Sequence, residues 1–241
     1  MVLSDNIKNL RRKKSMKKSY NLINLFLIVA ILIGDVFYIT TDLVWVKAIT
    51  SLAFVALGGV NLWFAFKAQT QHKKFCIIML VGLFFAMLGD IVLEFEFIIG
   101  ALLFAVGHVF FFVAYCNISK FEWKDLIYGS IIFVPATLLI TLAPIFDFGG
   151  ALMEVVCVVY ALIISCMTGK SIANFVKEKS ALNLIIMIGS ILFTFSDIML
   201  LFNVFANLHV IFGILCLATY YPAECVLAYS ILHSKNAKIS K

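Results

Sequence analysis

The sequence predicts an all-α, polytopic integral membrane protein, a bundle of eight transmembrane helices. Three observations lead there. The 241 residues are 63% hydrophobic and only 13% charged, with a mean hydropathy of +1.08. A water-soluble domain carries about twice that share of charge. The apolar residues fall in runs near the length of about 20 residues that a helix needs to cross a bilayer. The lysines and arginines gather in the tails and in alternate loops, as membrane topology requires. With only 3 prolines, the helices should run mostly unbroken.

The elements follow in order. Residues 1–20 are polar and strongly basic, from Lys8 to Lys18, and form a cytoplasmic tail. The first apolar run, 21–40, ends in "GDVFYITTD" rather than at a small-residue cleavage site, so it reads as a retained helix and not a signal peptide. The second, 43–66, carries Lys47 near its start, and the third, 75–93, carries Asp90 near its end. The fourth, 97–117, has His108 eleven residues in, about 16 Å down at 1.5 Å per residue. The fifth, 126–143, is the weakest, because Pro135 lies inside it and Pro144 stops it. Proline is tolerated in a membrane helix, so the span stands. The sixth, 151–168, begins with Glu154 in its first turn. The seventh, 181–202, carries Asp197, and the eighth, 207–231, carries Tyr220, Tyr221 and Glu224. Residues 21–231 thus form one transmembrane domain, followed by a short tail, 232–241.

Charge orients the bundle. Loop 2–3 carries Lys67, Lys73 and Lys74; loop 4–5 carries Lys120 and Lys124; loop 6–7 carries Lys170, Lys177 and Lys179; the last tail carries Lys235, Lys238 and Lys241. The intervening loops have no lysine or arginine. Both termini are therefore expected in the cytoplasm, in a multi-pass protein of the cell membrane. The net charge of +6 follows this topology and does not indicate a nucleic-acid partner. The six cysteines lie in or beside apolar segments without a CxxC pair, so they read as small buried hydrophobes rather than a disulfide framework.

Three acids need a reason. "ILIGDVF" at 31–37, "FFAMLGDIVLEF" at 84–95 and "ILFTFSDIMLLF" at 191–202 each place a small residue before an aspartate near the end of an apolar run. Asp35, Asp90 and Asp197 lie on odd-numbered helices and should share one depth below the outer surface. Ionisable groups at membrane depth cost several kcal/mol unless paired or hydrated, and they face a bundle interior or a cavity. A polar cavity open to the outer side is expected, with His108 near its floor and Lys47 within reach of an aspartate. Glu154 reads as a rim residue. Glu224 could pair with a tyrosine or line the cavity.

Common catalytic signatures are missing: no G-x-S-x-G, no H-E-x-x-H, no phosphate loop and no dinucleotide fingerprint. Ser196 and Asp197 are adjacent on a helix and cannot face each other, which disfavours a triad with His108. No ligand spacing supports a metal, and neither a metal nor another cofactor is expected. What remains is acid–base chemistry by carboxylates set apart by their surroundings. A proton-coupled transporter needs the same ingredients, and a lipid-binding protein without catalysis stays open as well.

The chain resembles the YhhN family of eight-helix membrane proteins, which includes the lysoplasmalogenases. The likeness is carried by "Lys47-Ala-Ile-Thr", "Leu88-Gly89-Asp90" with Leu93, "Gly107-His108", "Phe195-Ser196-Asp197" with Leu200, and "Tyr220-Tyr221" with "Ala223-Glu224". Two positions depart from the family pattern: Ala48 stands where proline is usual, and Glu224 where glutamine is usual. The resemblance implies hydrolysis of the vinyl ether bond of a lysoplasmalogen, a lysophospholipid with a vinyl ether chain drawn from the membrane lipid. The products would be a fatty aldehyde and a glycerophospho head group. It implies Asp90 and Asp197 as the acid–base pair and His108 as a positioner of water or shuttle of the proton. Lys47, Tyr220, Tyr221, Glu224 and Asp35 would form the substrate-binding surroundings, with Lys47 on the substrate phosphate or beside an aspartate.

Overall fold

The computed structural model describes residues 2–206 and 210–234, with side chains described from Tyr20 onward. Among the described residues eight helices follow one another: α1 (Val2–Thr41), α2 (Val44–Lys67), α3 (Lys73–Val92), α4 (Phe97–Ile118), α5 (Asp125–Leu142), α6 (Ala151–Lys177), α7 (Ala181–Phe205) and α8 (Ile211–His233). All eight contain a segment long and apolar enough to cross a membrane; in α1 it is Tyr20–Thr41. The all-α, eight-span reading is thereby met, including α5, which keeps Pro135 inside the helix. The α1–α2 turn is tight. Asp42 takes a positive φ of 54°, and its N–H donates to Tyr38 O at 2.8 Å. This left-handed stop suits a residue whose short polar side chain tolerates it.

Six helices close a ring. Around it α2 packs on α3, α3 on α4, α4 on α6, α6 on α7, α7 on α8, and α8 back on α2, while α3 and α8 also touch across the middle. The other two lie outside the ring: α1 packs against α2 and α8, and α5 against α6. The core follows the ring. Phe54, Leu57, Met79, Leu83, Phe111, Phe193 and Tyr221 are buried in one continuous cluster. Facing outward, Ile131, Val134 and Leu138 of α5 and Phe26, Val29 and Ile33 of α1 are exposed, as surfaces turned to lipid should be.

The termini of the helices differ from expectation in one informative way. Lys170 and Lys177 were expected in loop 6–7, yet both lie within α6, which runs nine residues past the expected end at 168. Lys170 is 1% exposed, with Nζ at 2.7 Å from Asp125 Oδ2 and donating to Lys120 O at 3.0 Å. Lys177 Nζ lies 2.7 Å from Asp125 Oδ1 and 3.1 Å from Glu122 Oε1. Apolar content ends at the edge of the bilayer, but the helix has its own hydrogen bonds and continues while its charges find partners. Further down the same end, Asn174 Nδ2 donates to Tyr115 O at 2.9 Å and Asn183 Nδ2 to Glu178 O at 2.9 Å, tying α4, α6 and α7. Such interhelical bonds are used in membrane bundles because lipid gives helices no hydrophobic reason to associate. The last tail, from residue 235, lies outside the described residues.

Candidate functional site

The small residue of each small–Asp pair sits where a neighbouring helix comes close. A Cβ on Gly34 would overlap Thr50 of α2. A Cβ on Gly89 would meet Phe104 of α4 at 2.9 Å and Gly100 O at 3.1 Å. Ser196 Oγ donates to Cys216 O of α8 at 2.9 Å. The repeated local sequence is therefore a helix-packing device first. Close packing at that position turns the following aspartate to one side of the contact.

For Asp90 that side is filled with donors. Lys47 Nζ lies 3.2 Å from Oδ1. Ser51 Oγ donates to Oδ2 in a short hydrogen bond, and Tyr221 OH donates to the same oxygen at 3.0 Å. Lys47 and Ser51 are one helical turn apart on α2, so they meet Asp90 side by side. Lys47 Nζ also reaches Glu94 Oε1 at 2.5 Å, and Tyr38 OH donates to that oxygen at 2.9 Å. The lysine side chain is 5% exposed and Asp90 4%, so the pair is withdrawn from solvent. With a lysine on Oδ1 and two hydroxyls on Oδ2, both oxygens of the Asp90 carboxylate have donors.

Asp197 is set differently. Tyr160 OH of α6 donates to its Oδ2 at 2.7 Å, and His108 Nε2 of α4 lies 3.3 Å from the same atom. His108 Nε2 and Tyr160 OH are themselves 2.9 Å apart. The imidazole stands edge-on to Phe193, with ring centroids 4.6 Å apart, and is fully buried. The three groups thus form a closed triangle on Oδ2, while the Asp197 side chain stays 14% exposed.

A cavity of about 240 Å³ joins the two aspartates. Lys47, Asp90, Glu94, Asp197, Asn203 and Tyr220 line it, together with Tyr38, whose hydroxyl is bonded to Glu94. A second, apolar groove of about 90 Å³ runs between α4, α5, α6 and α7, and Asp197 lies in its wall too. Leu93, Phe97, Phe104 and Leu200 are likewise shared by both. The polar cavity and the apolar groove therefore share one stretch of wall, and Asp197 is its ionisable residue.

The expected residues divide accordingly. Asp90, Asp197, Lys47 and Tyr220 line the polar cavity. His108 and Tyr221 stand behind it, each touching one aspartate. Asp35 is buried on α1, and neither Asp35 nor Glu224 is among the lining residues. Glu224 is fully buried, and neither of its carboxylate oxygens has a hydrogen-bond partner among the described residues. Glu154 lines neither cavity.

Sequence reasoning missed Ser51, Glu94, Tyr38 and Tyr160. Two of them carried a usable signal. Ser51 follows Lys47 by four residues on α2, the same face of the helix, and Glu94 follows Asp90 by four, in the turn just past the end of α3. Tyr160 had no such partner in its own helix. Among the described residues, no group of three or more His, Cys, Asp or Glu is placed to hold a metal ion.

No curated protein and no solved structure matches the chain. The YhhN family model matches residues 44–231, a region that runs from the first residue of α2 nearly to the end of α8 and includes both aspartates, Lys47, His108 and Tyr160. Covering well over half of the sequence, this match shows that the chain belongs to the YhhN family.

Proposed function

We propose that the protein is a membrane hydrolase that cleaves the vinyl ether bond of lysoplasmalogens, releasing a fatty aldehyde and a glycerophospho head group. The observation that carries this reading is the position of Asp197 in the walls of both the polar cavity and the apolar groove. In a lysoplasmalogen the vinyl ether is the junction between a polar head and a hydrocarbon chain. A lipid with its head in the cavity and its chain in the groove presents that bond to Asp197.

The chemistry then follows from the two shells. A vinyl ether is protonated at the carbon β to oxygen, which leaves an oxocarbenium ion on the adjacent carbon. Asp197, in its carboxylic acid form, supplies that proton. Tyr160 and His108 hold Oδ2 and leave Oδ1 for the substrate. Asp90 faces the same cavity, and its carboxylate stabilises the cation and takes a proton from the water that adds to it. The resulting hemiacetal gives its hydroxyl proton to Asp197 as the bond to the glycerol oxygen breaks, and Asp90 passes the proton it took from water to that oxygen, so both aspartates return to their starting forms. One water is consumed, and aldehyde and alcohol leave. The arrangement parallels glycoside hydrolysis, in which two carboxylates flank a similar cation. Lys47 holds Asp90 and offers its charge to the substrate phosphate, in competition with Glu94.

The test is purified protein in detergent given vinyl ether and ester lysolipids side by side. Aldehyde from the vinyl ether lipid, with little fatty acid from the ester, is the expected result. Folded protein that releases no aldehyde across a broad pH range contradicts the reading, and proton-dependent solute uptake in liposomes would replace it with transport.

A further inference from the structure

Positive and negative side chains are unequal in the polar cavity. Among the described residues its wall carries one lysine, Lys47, and three acids, Asp90, Glu94 and Asp197. An anionic ligand needs free positive charge there, and Lys47 is already engaged. Its Nζ lies 2.5 Å from Glu94 Oε1 and 3.2 Å from Asp90 Oδ1. An ammonium has three N–H groups, so two carboxylates leave one for a ligand. The Tyr38 ring stands beside the same nitrogen, with its centroid 5.3 Å from Nζ. Tyr38 OH also donates to Glu94 Oε1 at 2.9 Å and fixes the oxygen that holds the lysine.

Exposure decides which group a ligand meets. The Lys47 side chain is 5% exposed and that of Asp90 4%, whereas that of Glu94 is 22% exposed. Glu94 stands in the turn just past the end of α3. The cavity thus presents the Glu94 carboxylate more openly than the lysine it binds. Pairing alone does not require this acid, because Asp90 already lies beside Lys47. What Glu94 adds is an excess of negative charge. Like charges a few ångströms apart in a partly desolvated site change an affinity by about tenfold or more.

We propose that Glu94 sets the charge selectivity of the polar cavity. By holding Lys47 it turns away ligands whose polar group is net negative, and it admits those whose phosphate comes with its own cation. In the second kind the cation sits beside Glu94 while the phosphate shares Lys47. Glu94 touches no reacting atom and is a specificity-determining residue. The inference deepens the hydrolase reading, on which it rests only for calling the polar group a lipid head group.

The experiment measures binding without turnover. Two alkyl ether lysophospholipids of one chain length, with a zwitterionic phosphoethanolamine head or an anionic phosphoglycerol head, are titrated into the full chain in nonionic detergent by calorimetry. The wild type is expected to bind the zwitterionic lipid about tenfold more tightly. Glu94→Gln keeps the shape and removes the charge. It should tighten the anionic lipid by about tenfold and bring the two affinities level. Glu94→Asp should restore the wild-type preference, and Tyr38→Phe, which removes no charge, should keep it. A residue that only stabilised the turn would weaken both lipids together and leave their ratio unchanged. Equal affinities in the wild type, a ratio that Glu94→Gln does not move, or Glu94→Asp behaving as Glu94→Gln does would overturn the proposal. The matching vinyl ether lipids separate it from the hydrolase reading. Aldehyde released equally from both head groups would keep the hydrolase and remove the selector. A ratio that shifts with Glu94→Gln while no aldehyde appears would keep the selector and remove the hydrolase.

Discussion

Tyr160 OH donates to Asp197 Oδ2 at 2.7 Å, on the same oxygen that faces His108 Nε2 at 3.3 Å. A donor fixed on one oxygen sets the direction of the other. In the hydrolase account Tyr160 is a positioning residue, not a catalytic one. Tyr160→Phe should lower kcat by about ten- to a hundredfold with KM little changed, the pattern of a lost transition-state alignment. A purely structural tyrosine would instead lower the folded fraction and leave kcat of the remaining protein intact, and an active-fraction measurement separates the two.

The two aspartates should fail by different amounts. On the proposed mechanism Asp197→Asn removes the proton donor and is expected to reduce aldehyde release by about 10²–10⁴-fold. On the same mechanism Asp90→Asn removes electrostatic stabilisation and should cost about 10²–10³-fold. Both variants should keep their elution profile in detergent. Wild-type rates in either variant would move the chemistry elsewhere in the cavity.

The base of α5 gives a stability prediction free of any function. Asp125 and Lys170 are 2% and 1% exposed at the side chain. Asp125→Ala leaves the Lys170 ammonium buried without its carboxylate and should destabilise by about 3–5 kcal/mol. Asp125→Ala combined with Lys170→Met should recover much of that loss. Unfolding in detergent monitored by far-UV circular dichroism provides the comparison, and a double variant no better than the single one would rule out the ion pair as the cause.

Glycine positions separate packing from propensity. Gly169→Ala presses a methyl group into the α5 backbone, which cannot turn aside as a side chain can, and should cost about 1–3 kcal/mol. Gly59→Ala has nothing within 4 Å of the new Cβ and should be neutral or stabilising by up to about 1 kcal/mol. The reverse order in thermal stability would contradict the described α5–α6 contact.

Much of this was legible in the sequence because membrane helices make charge conspicuous. Lys47, Asp90 and Asp197 interrupt apolar runs, and eight runs separated by alternately basic loops became eight helices. What stayed hidden depended on which helices are neighbours. Tyr160 reaches His108 and Asp197 only because α6 stands beside α4 and α7, and nothing within its own helix signals that. Lys170 and Lys177 were assigned to a loop because hydropathy marks where the bilayer ends, not where the helix does. Asp35 shares the local form of the other two acids, but α1 lies outside the ring, and the same small–Asp pair there packs a helix without reaching the cavity.

Orientation rests on charge and has a direct test. With lysines at the α2–α3, α4–α5 and α6–α7 ends and none in the α5–α6 loop, the positive-inside rule puts Phe148 outside. A cysteine introduced there by Phe148→Cys should react with a membrane-impermeant maleimide added to intact cells. Labelling only after the cells are opened would invert the bundle.

Hydrolysis of a lysoplasmalogen in ¹⁸O-water tests the central claim most directly. If water adds to a protonated vinyl ether, aldehyde appears and the new oxygen goes to the aldehyde carbon. The glycerophospho product then keeps its original oxygen and contains no ¹⁸O. Absence of aldehyde, or ¹⁸O in the glycerol hydroxyl, would contradict the account, because the bond broken would not be the one that Asp197 is placed to protonate.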